Sequence, residues 1–65
     1  MTNRRGKTVT DRLNEDIKYA ESMTNAAQRE TLALKALGAV DFAVEFGLIT
    51  YTEWTKYINR IFAMV

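Results

Sequence analysis

A chain of 65 residues makes one domain at most. Folding buries only about 60% of the unfolded surface of so short a chain, which leaves it marginal alone. It contains no Cys and no His, so disulfides and ordinary zinc sites are excluded and association is the remaining way to stabilise it.

A net charge of +1 says little, but its distribution says more. Residues 1–12 carry Arg4, Arg5, Lys7 and Arg12 against Asp11, a sum of +3, and the rest of the chain sums to −2. Residues 1–7 read as a disordered basic tail and residues 8–65 as a single helical domain. Contact of Arg4, Arg5, Lys7 and Arg12 with phosphate or an acidic partner is the competing reading of the tail. The N-terminus shows no apolar stretch of the secretory kind. The longest apolar region, Ala36 to Ile49, is interrupted by Asp41 and Glu45 and is too short and too charged to span a bilayer. The expectation is a soluble cytoplasmic protein with no membrane association.

Taken in order, Thr8-Val9-Thr10-Asp11 offers a capping box with Asp at the third helical position. Asp11, Glu15 and Asp16 place negative charge in the first turns, where the helix dipole favours it. Apolar residues then recur at Leu13, Ile17, Ala20, Ala27 and Leu34, with Thr24 and Thr31 filling a thin seam of the coiled-coil kind. The register of this seam runs through Ser22, Thr24 and Asn25, the only helix-weakening cluster. The chain has no proline, and Gly38 is the sole glycine of the region. The pattern predicts one helix over about 11–46. A bend or break near 22–25, with Asn25 and Gln28 capping a new helix, is the alternative.

From Thr31 the pattern changes. At 100° per residue, Thr31, Lys35, Gly38, Asp41 and Glu45 share one wedge of about 120°. One apolar flank is slim (Leu32, Ala36, Ala39, Ala43) and the other is bulky (Ala33, Leu37, Val40, Val44). A helix with two apolar flanks needs two packing partners.

The next stretch carries a stop and a start. Gly47 suits the left-handed position after a helix. Thr50-Tyr51-Thr52-Glu53 is a capping box, and Ile49 with Trp54 fits a hydrophobic staple. Gly47, Ile49 and Glu53 also match positions of a calcium-binding EF-hand loop. The ligand positions before them hold Phe42, Val44 and Phe46, and hydrocarbons cannot coordinate calcium. A helix-turn-helix reading finds Ala43, Gly47 and Leu48 in place, but Glu53 and Lys56 stand where apolar residues should lock the second helix. The last helix is predicted over about 51–63, with Trp54, Ile58, Ile61, Phe62 and Val65 buried, Tyr51 and Tyr57 off this stripe, and Lys56, Asn59 and Arg60 facing solvent.

The last helix, roughly 20 Å long, can cover only one flank of residues 32–46. With a straight first helix the fold is an all-α αα-hairpin, closed into a helical bundle by dimerisation. Its interface would comprise Leu32, Ala36, Leu37, Ala39, Val40, Ala43 and Val44. If the chain bends near residue 24, a monomeric three-helix bundle results.

Function is less legible. Asp11, Glu15, Asp16, Asp41, Glu45 and Glu53 are available as acids or bases, yet without His or Cys nothing assists them. The expectation is a non-enzymatic interaction module without catalytic, cofactor or metal residues, acting as a homo-oligomer. A nucleic-acid accessory protein using the basic arm is the second reading. Gly38-Ala39-Val40-Asp41-Phe42-Ala43, followed by Glu45-Phe46-Gly47-Leu48-Ile49-Thr50 and Glu53, resembles the C-terminal hairpin of small uncharacterised helical proteins of Firmicutes prophages and conjugative elements. The likeness covers roughly the last 30 residues. It implies a bacterial accessory protein and carries no functional residues.

Overall fold

The computed structural model describes residues 8–65; the basic tail expected over 1–7, with Arg4, Arg5 and Lys7, lies outside the described residues. The chain forms three helices, α1 (Val9–Glu21), α2 (Ala26–Glu45) and α3 (Tyr51–Ala63). This corrects the expectation of one unbroken helix over 11–46: the chain breaks at residues 22–25, and the three-helix alternative fits.

The physical reason for the break is local. The Ser22 hydroxyl donates to the Tyr19 carbonyl at 2.7 Å, drawing the last turn of α1 onto itself. Asn25 is extended, and its side chain accepts the Gln28 N–H at 3.0 Å, starting α2 afresh. The reversal brings Leu13, Ile17 and Ala20 into full burial. Each branched side chain taken from water gains roughly 1.5–3 kcal/mol, so the folded-back chain wins over a straight one. The seam ends with α1: Ala27 is exposed, and Leu34 is 56% exposed.

The other helix ends follow their signals. Thr8 and Asp11 exchange bonds in a full capping box, at 3.2 and 3.1 Å. Gly47 has φ 71°, and Leu48 N–H reaches the Ala43 carbonyl at 2.8 Å while Gly47 N–H reaches that of Val44 at 3.2 Å. That pair of bonds is a Schellman ending. Thr50 and Glu53 form the second box, at 2.8 and 3.1 Å. Ile49 is buried and Trp54 packs against the same core.

Both flanks of α2 are covered within the chain. Arg12, Asp16 and Tyr19 of α1 line a groove with Leu32, Ala36 and Ala39, so α1 lies along the slim flank. Alanines there permit close approach. On the other side Trp54 Nε1 donates to Asp41 Oδ1 at 2.7 Å, holding α3 along the bulky flank. The line Ala33, Ala36, Val40 and Ala43 between the flanks is the buried spine of α2.

The stripe on α3 is turned from its predicted position. Ile58 and Ile61 are buried as expected, but Tyr57 joins them, and Phe62 and Val65 are exposed. The cause is that α3 faces α1 as well as α2. Asn14 of α1 donates to the Tyr57 hydroxyl at 3.4 Å. Arg60, expected in solvent, donates to Asn14 Oδ1 at 2.8 Å and grips Glu21 at 3.0 and 3.4 Å. Asn14 meets Tyr57 and Glu21 meets Arg60, so α1 and α3 run in the same direction and α2 runs against both. A half-exposed ion pair of this kind contributes about 0.2–1 kcal/mol, so it sets the register of α1 on α3 more than the stability.

Two outcomes follow. Ile17→Ala should cost about 2–5 kcal/mol, read by urea denaturation. The Glu53 carboxyl is held below its usual range by the Thr50 N–H first, then by the Thr50 hydroxyl, with Thr10 and Lys56 adding to the effect against a small opposing contribution from burial. A depressed carboxyl stabilises the fold above its unfolded pKa, and that stability drains as pH falls through the folded value. Thermal melts should therefore lose stability below about pH 4.5, and Glu53→Gln should flatten part of that slope.

Candidate functional site

With both flanks of α2 occupied, its remaining face is the wedge expected to be polar. Thr31, Lys35, Gly38, Asp41 and Glu45 are exposed there. The wedge is not uniformly polar, however. Leu34 and Phe42 are each 56% exposed, Phe46 is 66% and Leu48, just past the helix end, is 50%. Leu34, Gly38, Phe42 and Phe46 follow one another at steps of four residues, an oblique row on the helix surface. The Phe42 and Phe46 rings stack with centroids 4.5 Å apart. A second stack, Tyr51 on Trp54 at 5.0 Å, borders the row where Trp54 bonds to Asp41.

Gly38 sits in the middle of this row. A methyl group built there would meet nothing within 4 Å. A glycine inside a helix costs about 1 kcal/mol relative to alanine, and no neighbour within the described chain requires it.

The residues expected to form an interface lie elsewhere. Ala36, Val40 and Ala43 are buried under α1 and α3, and Leu32, Leu37, Ala39 and Val44 are half-buried beside them. The open apolar side chains of α2 and its C-terminal end are Leu34, Phe42, Phe46 and Leu48 instead; Tyr19 of α1 and Tyr51, Phe62 and Val65 in and after α3 are exposed as well. Sequence reasoning missed the α2 set because the apolar flanks were so extensive that the wedge was read by its charges. The signal was present in the four-residue spacing.

Of the arm residues Arg4, Arg5, Lys7 and Arg12, Arg12 is the described one, and it faces Asp16 at 3.7 Å in an exposed pair one turn apart. Arg29, in the first turn of α2, lies in line with the buried spine. Its guanidinium donates to the Met23 carbonyl at 3.4 Å, placing a cation at the C-terminal end of α1, where the dipole favours it.

Two further depressions mark the surface. A cleft of about 300 Å³ between α1 and α3 is lined by Thr10, Asn14, Glu53, Lys56, Tyr57 and Arg60. Glu53 there serves the cap, and Arg60 is held by Glu21 and Asn14. These groups act as structural ties. An open hollow of about 400 Å³ beside the first turn region has Tyr19, Met23, Ala27, Gln28, Thr31 and Leu32 around it, with no charged side chain. Among the described residues no three His, Cys, Asp or Glu side chains gather as a metal site, and no helix is long and apolar enough to cross a membrane.

Compared with known proteins, the chain matches no family model, no curated protein and no solved structure. The functional reading therefore rests on the surface itself.

Surface substitutions that break no internal contact usually change stability by no more than about 0.5 kcal/mol. Leu34→Ser should stay within that range under conditions where the chain is monomeric, in contrast to Ile17→Ala. A large loss in the same urea titration would mean that Leu34 is a core residue, not surface.

Proposed function

We propose that this chain is a small, non-enzymatic helical interaction module that acts as a homo-oligomer, most simply a dimer. The observation that carries the reading is the aromatic and aliphatic row on the open face of α2. Monomers rarely keep contiguous apolar patches beyond a few hundred Å², and larger ones mark association surfaces. Leu34, Phe42, Phe46 and Leu48, each half exposed or more, together offer an apolar area of a few hundred Å². Aromatic residues are also the type enriched where partners meet.

The likeness of residues 38–53 to small proteins of prophages and conjugative elements supports, within this proposal, a bacterial accessory role. Such a protein would act through what it holds rather than through chemistry of its own. The surface suits that role: its groups are hydrocarbon, with Lys35, Asp41 and Glu45 around them.

Light scattering on a sizing column tests the proposal. Over a rising concentration series the mass should approach twice the 7.4 kDa of one chain. A mass that stays at one chain throughout would defeat the homo-oligomer.

A further inference from the structure

We propose that two copies of the chain associate by crossing their α2 helices at Gly38, with a twofold axis at that residue. The inference rests on the reading of the chain as a self-associating module and adds where, and how, the copies meet.

Three observations converge. The first is Gly38 itself. Gly47 is the glycine with positive φ, so the backbone at 38 does not demand glycine. Nor does any neighbour, since an added methyl would stand in open space. Alanine would serve the helix better. What glycine provides at such a position is close approach of another backbone, and among the described residues no backbone approaches.

The second is symmetry. Leu34 and Phe42 stand four residues before and four residues after Gly38, and both project into solvent. In a twofold pair centred on Gly38, the Leu34 and Phe42 of each copy straddle the other copy at its own glycine. Knob and notch belong to the same surface, as an isologous interface requires. Rows of residues four apart are also the ridges that interdigitate when helices cross at about −50°, so the row has the spacing of a crossing helix pair.

The third is area. A whole aromatic side chain offers about 150–250 Å². At the exposures observed, and with a leucine counted at the lower end of that range, Leu34, Phe42, Phe46 and Leu48 present at most about 500 Å² per copy. Full coverage of both copies would bury at most about 1,000 Å², the lower limit for a specific interface. The surrounding charges mix Lys35 with Asp41 and Glu45, so a second copy does not meet a face of one sign.

Sedimentation of the full chain from micromolar to millimolar concentration tests this, with helicity checked by circular dichroism. Wild type should dimerise. Gly38→Leu and Phe42→Ser should each weaken the dimer at least about tenfold, in the range of interface hot spots. Phe62→Ser, an exposed residue of α3 remote from the row in sequence, should leave it unchanged. Gly38→Ala separates interface from scaffold: it should raise the melting temperature of the dilute monomer and weaken the dimer, two effects of opposite sign. If wild type dimerises and Gly38→Leu and Phe42→Ser dimerise equally well, the crossing at Gly38 is wrong and self-association stands. If wild type remains monomeric throughout, both fall, and the row belongs to a different protein.

Discussion

The fold depends on one constraint: α2 is apolar on two flanks and must be covered on both. A single neighbouring helix cannot do this. The chain meets the demand by reversing twice, once at Ser22–Asn25 and once at Gly47–Thr50, so that α1 and α3 each take one flank. The two reversals use different chemistry. The second has a glycine in the left-handed region and a full capping box. The first has neither glycine nor proline and relies on a serine hydroxyl turned back on its own helix and an asparagine cap. The stronger signal is the one that was plain in the sequence.

This explains what could be read in advance and what could not. Thr50, Glu53 and Gly47 announce a helix end through chemistry confined to a few residues, so the structure agrees with them bond by bond. Leu13, Ile17 and Ala20 announce a buried stripe through spacing alone, and they are buried. The break at 22–25 was only an alternative, because no residue there forbids a helix. It is decided by the packing gained on reversal, which lies outside any local window. Tyr57 and Arg60 were misplaced for a related reason. Their positions depend on Asn14 and Glu21, more than thirty residues away, and a stripe read on one helix cannot report a second neighbour. On the candidate surface, Phe42 and Phe46 were visible as residues, yet their exposure could be known only once both flanks had been filled by the chain itself.

The distribution of apolar groups separates two roles along one helix. Small residues face the neighbouring helices, where Ala33, Ala36 and Ala43 with Val40 form a tight spine. Leu37 and Val44 pack partly against the same core, while the large side chains of Leu34, Phe42 and Phe46 face outward. A helix designed only for internal stability would reverse that assignment, since large side chains gain more from burial. Three large side chains left in water are what the proposed pairing of two α2 helices would account for.

The order of the helices has a kinetic consequence. α1 packs on α2 and α2 on α3, so most contacts join segments adjacent in sequence; the two ends meet along Asn14, Tyr57, Glu21 and Arg60, with Thr10 beside Glu53. Helical topologies with such local contacts fold in microseconds to milliseconds. Each reversal can form with its own pair of helices before the other is in place, and the polar seam closes when both are present. Fast folding shortens the time for which Leu13, Ile17, Val40 and Ile61 stand open to water, whereas Leu34, Phe42 and Phe46 are still outside when folding is complete.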